Sequence, residues 1–384
     1  SVQFRHDRVQ QAVLAGMDEA RRAQRQLAMA RRLAGDPALG HDAAQQYLAC
    51  TASLHQQGDR GEQRRAALLF HALAQKLSST ATYLLAERYL AAAAALLAAI
   101  DDSADAALRR AIDAARHAAL YSLGRLEESD PIYASMQACI ADPLELVEPT
   151  CLQMRSLNMR GQTDEAKMLG LSLLRQLGLD APPDYIAPDT EQRLDGLAAW
   201  VRQDSQLDHS KRVQIRDPRL LAIAKLLSRT GRSASVQLHT SVTMWLMLES
   251  QRLWAEHGPC PELVASLGRL GGMLISLRED FQTAFAITRH VLTVGESLGY
   301  EPQTSEARFI FVSYACHWFE PLEDVKRHVQ LAYEGVLAGG DVSYAGYVHI
   351  VVSTTFLEIA PNLDAAAAEV EAGIALCQRT GNVH

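Results

Sequence analysis

The sequence is poor in lysine and aromatic residues, and it lacks several short motifs on which enzymes depend. Only five of its 384 residues are lysine, although Lys and Arg together number 37, and aromatic residues make up 6%. No Gly-Lys dipeptide occurs, which excludes a phosphate-binding G-x-x-x-x-G-K-[ST] loop. No histidine is followed by Glu, which excludes H-E-x-x-H, and the H-R-D and D-F-G kinase signatures are absent. These absences predict a chain with no catalytic activity, cofactor or metal site of its own.

Long apolar runs and excess positive charge are also missing. The longest nearly apolar run, Leu90–Ile100, has eleven residues, whereas a membrane-spanning helix needs about 20. The formal net charge is −8, so the averaged field repels phosphate backbones. The sequence therefore predicts neither a membrane nor a nucleic acid as partner.

Cysteines are few and widely spaced. The six cysteines form no C-x-x-C pair and no Cys/His cluster at zinc-ligand spacing. This spacing predicts small buried thiols in a reducing compartment, and hence a cytoplasmic protein. The first residues, Ser-Val-Gln-Phe, include neither an initiator Met nor a charged-then-apolar leader. We expect the chain to be part of something longer.

Apolar residues recur at helical spacing over almost the whole chain, and alternating runs of β-branched residues are nearly absent. This pattern predicts an all-α fold. From Ala81 onward, apolar side chains and many alanines predict a helix that neighbouring helices approach closely on more than one side.

The chain is also self-similar. Ser129 and Ala166 occupy equivalent places 37 residues apart in GRLEESDPIY and GQTDEAKMLG. Ala284, Val325 and Ala366 continue the same column at intervals of 41 residues. The column has a physical reason. Acidic residues in the first turn of a helix meet the positive end of the helix dipole, and the small residue after them lies where two helices touch. The period predicts tetratricopeptide-like α-α hairpins stacked as a superhelix (solenoid), with a globular helical bundle as the alternative.

A Pro-rich interruption divides the repeats. Prolines between Leu179 and Asp189 disfavour helix, and a short helix is predicted over Thr190–Arg202. The sequence thus predicts two superhelical halves. The predicted sections are a connecting segment at 1–38, a first repeat block at 39–180, the interruption at 181–217 and a second repeat block at 218–384.

Five phrases of the sequence carry a resemblance to a known family. The phrases are FRHDRVQQA (4–12), LSSTATYLLAERYLAAAAALL (77–97), GQTDEAKMLGLSLLRQLGL (161–179), CHWFEPLEDV (316–325) and GGDVSYAGYVH (339–349). They resemble the tetratricopeptide-like region of large bacterial multidomain signalling proteins. In that family a serine/threonine kinase domain or a hybrid histidine kinase is fused to a STAND-type predicted ATPase and to helical repeats. The resemblance implies that 1–38 is the winged-helix-like end of the ATPase module, with ATP bound only outside this chain.

The resemblance further implies a non-catalytic scaffold or sensor region that regulates adjacent ATPase and kinase domains. Those domains, another protein or a small-molecule effector would be its partner. An alternative is the helical effector domain of an ATP-dependent transcription regulator. A third reading is a hydrolase built on Ser297, because Gly295–Gly299 satisfies G-x-S-x-G. That motif requires a preceding β-strand, and here a helix ending at a left-handed Gly299 is predicted instead.

Three groups of side chains are candidates for ligand or partner binding. An aromatic cluster precedes Pro321, and the alternative is that it seals a hairpin junction. Two tyrosines lie one turn apart in DVSYAGY, with core packing as the alternative. An arginine run begins the first helix, with a solvated surface as the alternative. The arginine run is a candidate for docking to an acidic surface of the ATPase module. The candidates are His317, Trp318, Phe319, Tyr344, Tyr347, Arg21, Arg22 and Arg25. In LGRLGG, Gly268 and Gly272 share one helical face and predict close helix packing.

Overall fold

A computed structural model describes residues 16–100, 103–208, 212–236 and 240–380. These residues contain helices, turns and loops and no β-strand. The chain divides into two compact units, Ser1–Ser156 and Leu157–His384. Within each unit, consecutive helices pack as α-α hairpins, so the predicted all-α helical-repeat fold is confirmed.

The first unit is built around small apolar side chains. Its helices are α1 (Glu19–Leu33), α2 (Gly40–Ala49), α3 (Thr51–Gln57), α4 (Arg60–Ser79), α5 (Tyr83–Ile100), α6 (Ala106–Ser122) and α7 (Leu126–Cys139). The division between the units falls inside α8 (Pro143–Met159). Leu27 and Ala30 of α1 belong to the same core as Phe70, Tyr89 and Leu97. Helix α1 is therefore an integral layer of this unit.

The second unit has two layers of helices. After α9 (Thr163–Gln176) and α10 (Thr190–Asp204), the helices alternate between the layers. They are α11 (Pro218–Val236), α12 (Thr240–His257), α13 (Pro261–Arg278), α14 (Phe281–Leu298), α15 (Gln303–Ile310), α16 (Leu322–Ala338), α17 (Val342–Ile359) and α18 (Leu363–Thr380). Helix α13 packs against both α11 and α15, so the odd-numbered helices form one layer, while α10 packs against α12 and α14 in the other.

The repeated column has the same structural place in each of the five helices that carry it. Ser129, Ala166, Ala284, Val325 and Ala366 are each the fourth residue of a helix, and all are buried. A small or β-branched side chain at this position lets the helix approach its partner at the start of the hairpin. The sequence period therefore corresponds to a packing position.

Close helix packing explains the glycines of α13. A Cβ on Gly268 would lie 2.8 Å from both Cα and Cβ of Ala307 in α15, and one on Gly272 would lie 3.2 Å from the Tyr314 ring. The predicted close packing at both glycines is confirmed. The alanine-rich α5 likewise packs against α4 and α6, as predicted.

The Pro-rich interruption lies inside the second unit. The structure divides the chain at Ser156/Leu157, upstream of the predicted interruption at 181–217. The reason is that α10 is fastened to the repeats that follow it. Arg193 of α10 donates to Glu249 at 2.8 Å and to the Leu248 carbonyl at 2.6 Å, and the Tyr185 ring contacts Trp245 at 6.2 Å between centroids.

Other sequence predictions have separate outcomes. Cys50, Cys151, Cys260 and Cys316 are buried as expected, whereas Cys139 is exposed. No helix in the described part of the chain has the length and apolarity needed to cross a membrane. The assignment of 1–38 to an ATPase module stays a prediction, and the phrase at 4–12 lies outside the described residues.

Candidate binding surfaces

The predicted aromatic cluster is assembled in the second unit. Trp318 lies 4.5 Å from Phe281 and Phe319 lies 4.7 Å from Phe285, between ring centroids. His317 contacts Trp318 at 5.1 Å. These rings join the start of α14 to the segment that precedes α16, as the junction-sealing alternative requires. We call these five residues the aromatic surface.

The aromatic surface is nevertheless open on one side. Trp318 is 54% exposed and Phe319 49% exposed, although the rings beneath both are half-buried. Burial lowers the pKa of His317, which favours a neutral imidazole beside the indole near pH 7. Exposed aromatic rings that packing holds in place are typical of protein-binding surfaces.

Tyr344 and Tyr347 belong to a different part of the second unit. Tyr344 is 7% exposed and packs edge-on against Phe309 at 5.0 Å. The guanidinium of Arg232 lies 4.2 Å from the centre of its ring, a cation-π contact. Tyr347 is half-buried, and its ring lies 6.4 Å from that of Tyr344. Tyr344 is thus buried beside the guanidinium of Arg232.

The arginines of α1 lie in the first unit. Arg21 and Arg25 are exposed and Arg22 is half-buried. The Arg21 backbone N–H donates to the capping carboxylate of Asp18 at 2.7 Å, and Arg25 Nη1 lies 3.9 Å from Met17 Sδ. These side chains stay candidates for docking.

A group of buried charged side chains lies where the odd-numbered helices of the second unit converge, and we call it the buried charged cluster. Glu306, in the first turn of α15, lies 2.9 Å from Arg232 of α11, 3.4 Å from Arg269 of α13 and 3.7 Å from Arg229 of α11. Arg232 also donates to Asp341, the N-cap residue of α17, at 2.6 Å. The cluster therefore joins α11, α13, α15 and α17 through ion pairs.

Opposite charges keep this cluster ionised. Burial alone would raise the pKa of Glu306, but the charges of Arg232, Arg229 and Arg269 outweigh it and lower the pKa. Burial alone would lower the pKa of Arg232, but Glu306 and Asp341 raise it. The sequence analysis missed this cluster. The available signal was the presence of Arg269 in the otherwise apolar segment LGRLGG.

A second buried network links the end of α10 to α12 and α14. Asp204, the last residue of α10, accepts hydrogen bonds from Arg212 and from Trp254 Nε1 at 2.9 Å, and it pairs with His290 Nε2 at 2.6 Å. Burial would raise the pKa of Asp204, but His290, Arg212 and Trp254 lower it to about 2. The sequence analysis missed this network because its members are up to 86 residues apart.

The G-x-S-x-G motif is helical. Ser297 lies in the last turn of α14, and its hydroxyl donates to the Val294 carbonyl at 2.9 Å. Gly299 has φ of +68°, as predicted for a residue just beyond a helix end. A nucleophile elbow needs a strand before the serine, so this geometry does not form one. No group of three or more potential metal ligands converges within residues 16–100, 103–208, 212–236 and 240–380.

The comparisons with known proteins identify no family for this chain. No protein-family model matches the chain, and no curated protein matches it. One similar solved structure is described as a "circular tandem repeat protein with novel repeat topology and enhanced subunit contact surfaces". It is 14% identical, with 93% of this chain and 89% of that chain covered and a TM-score of 0.20.

Proposed function

We propose that this chain is a non-catalytic helical-repeat scaffold that binds a protein partner and regulates adjacent ATPase and kinase domains of a bacterial signalling protein. The resemblance of its repeat phrases to the helical regions of such proteins supports the signalling context. The α-α hairpin architecture supports the scaffold role, since repeats of this kind present extended surfaces.

The aromatic surface is the observation that carries the proposal. Trp318 and Phe319 are about half exposed while Phe281 and Phe285 hold their inner faces. A partner that covers these rings gains apolar burial at little cost in side-chain entropy, because the rings are already fixed by packing. The adjoining ATPase or kinase domain is the first partner to test.

Binding between this chain and the ATPase module can be measured by sedimentation or calorimetry. We expect the double variant Trp318→Ala/Phe319→Ala to weaken the complex at least about tenfold, because aromatic anchors carry about 2 kcal/mol or more when truncated. Leu84→Ala is the matched control, since Leu84 is 63% exposed but lies in the first unit. Equal affinity of both variants and the unmodified chain would contradict the role of the aromatic surface.

Native mass spectrometry of the purified chain distinguishes protein docking from small-molecule sensing. A chain that carries no bound molecule, and that forms a complex only when the ATPase module is added, would support the docking scaffold. A retained non-covalent small molecule would instead support the sensor alternative and would direct attention to the buried charged cluster.

A further inference from the structure

One turn of the chain carries the exposed rings of the aromatic surface. The backbone N–H groups of Phe319 and Glu320 donate to the Cys316 carbonyl at 3.1 and 2.9 Å, and the Cys316 thiol donates to Glu320 Oε2 at 3.4 Å. The Glu320 side chain thus folds back onto its own turn. It is half-buried, whereas Trp318 and Phe319 beside it are about half exposed. We call residues 316–320 the aromatic turn.

The Glu320 carboxylate connects the aromatic turn to two helices. Its Oε1 lies 3.7 Å from Arg289 Nε of α14, and its Oε2 lies 3.5 Å from His328 Nε2 of α16. The His328 ring also packs edge-on against Phe311, at 5.4 Å between centroids. Phe311 in turn lies 5.7 Å from Phe285 of the aromatic surface. His328 is therefore linked to the aromatic surface by two routes.

The surroundings of His328 suit a neutral imidazole. Its side chain is 14% exposed, and its Nδ1 atom is buried with no hydrogen-bond partner among the residues that the structure describes. A neutral ring can carry its single hydrogen on Nε2, which faces Glu320. Protonation would place a hydrogen on both nitrogens. The N–H on Nδ1 would then be buried without an acceptor, which is unfavourable.

The charged groups around His328 come from the aromatic turn, α14 and α15. Burial lowers the pKa of His328 below its ordinary value of 6.5, and the positive charges of Arg289 and Arg308 act in the same direction. The carboxylates of Glu320 and Glu296 act to raise the pKa but do not offset the burial. The ring is thus harder to protonate in the packed structure than in contact with water. The packing around it therefore loses stability as the pH falls below 6.5.

We propose that His328 regulates the aromatic surface: protonation of its imidazole loosens the aromatic turn from α14 and α16, and the bound partner is released in mild acid. Movement of the turn exposes the imidazolium to water, which supplies the acceptor that the N–H on Nδ1 lacks. The same movement separates Trp318 and Phe319 from the rings that hold them, so the surface is no longer arranged for binding. This regulation rests on the proposed function of the aromatic surface.

Fluorescence of the free chain tests the regulation without a partner. Acrylamide quenching is measured between about pH 7.5 and 5.5, and the signal of a Trp318→Phe variant is subtracted in each background to isolate Trp318. We expect quenching of Trp318 to rise as the pH falls, and to stay constant in His328→Gln, which cannot be protonated. Glu320→Gln removes the charge that ties the turn, so it should raise the quenching already at about pH 7.5. Equal pH dependence with and without His328, or no effect of Glu320→Gln, overturns the proposal.

Affinity for the ATPase module connects this regulation to binding. Between about pH 7.5 and 5.5 the affinity of the unmodified chain should fall by at most about tenfold, because pH 5.5 is one unit below the ordinary pKa of histidine. His328→Gln should bind with an affinity that does not change with pH. His257→Gln is the matched control and should show the fall, because His257 pairs with Glu256 at 3.6 Å but is 42% exposed.

The two measurements separate failure of this regulation from failure of the proposed function. A fall in affinity that persists in His328→Gln refutes the regulation, and so does an affinity of the unmodified chain that does not change with pH. Absence of binding at every pH contradicts the proposed function of the aromatic surface. In that case the quenching of Trp318 in the free chain still decides whether His328 controls the aromatic turn.

Discussion

Replacing Glu306 by Gln tests whether the buried charged cluster holds the second unit together. The substitution keeps the shape of the side chain and removes one negative charge from the middle of three guanidinium groups. Their distances from the Glu306 carboxylate are 2.9, 3.4 and 3.7 Å. At an effective dielectric constant of about 20, each such pair contributes roughly 4–6 kcal/mol of attraction.

The measured loss will be smaller than the sum of these attractions, because burying the ions costs several kcal/mol each. Removing one partner of a buried network leaves the other charges uncompensated, and this typically costs about 3–5 kcal/mol. For a unit of about 230 residues, a loss of 1 kcal/mol lowers Tm by about 2–4 °C. We therefore expect Glu306→Gln to lower the Tm of the second unit by about 10 °C.

Calorimetry of the purified chain, with urea unfolding as a second measure, gives both the Tm and the free energy of unfolding. Glu256→Gln is the control, since Glu256 is 47% exposed and its pair with Arg252 is on the surface, where a pair contributes about 0–1 kcal/mol. The difference between the two variants should persist in 1 M NaCl because salt screens buried pairs weakly. A loss for Glu306→Gln no larger than that of the control would refute the reasoning.

Three other predictions concern packing, pH and reactivity. Gly268→Ala should destabilise the chain by about 1–3 kcal/mol, because the new Cβ would lie 2.8 Å from the Ala307 backbone. Gly196→Ala should instead stabilise the chain by about 0.5–1 kcal/mol, because a Cβ at Gly196 would meet no atom within 4 Å. Equal effects of the two substitutions in urea unfolding would be inconsistent with the packing. The pKa of Asp204 falls from 3.8 in the unfolded chain to about 2 in the folded chain. Its ionised carboxylate therefore adds about 2 kcal/mol to the free energy of unfolding above pH 4, and this contribution is lost as the pH falls towards 2. Urea midpoints between pH 5 and 2 should decline more steeply for the unmodified chain than for Asp204→Asn, and parallel declines would disprove the assignment. Ser297 should resist a fluorophosphonate probe, since its hydroxyl is bonded to a helical carbonyl, and stoichiometric labelling of folded protein would revive the hydrolase alternative.

The sequence predicted the local features of this fold well. The 37- and 41-residue intervals located the fourth residue of five helices, and the glycines of LGRLGG indicated close contact between α13 and its neighbours. These features depend on periodicity and side-chain size, which are visible along a single helix. The aromatic cluster at 317–319 was found for the same reason, because its rings are adjacent in sequence.

The charged cluster and the Asp204 network could not be found in this way. Arg232 and Asp341 are 109 residues apart and make contact because the odd-numbered helices of the second unit converge. Nothing in the local pattern around either residue indicates its partner. The same convergence buries Tyr344 beneath Arg232, at a position where sequence alone left ligand binding and core packing as alternatives.

The sequence by itself determined that this protein is all-α, that its helices repeat and which face of several helices is buried, because helical periodicity and residue size act locally. The tertiary structure alone decided where the chain divides, that α10 belongs with the helices after it, and which charges meet in the interior. The physical reason is that the free energy of a buried ion depends on the positions of all charges around it. Only the packed helices fix those positions.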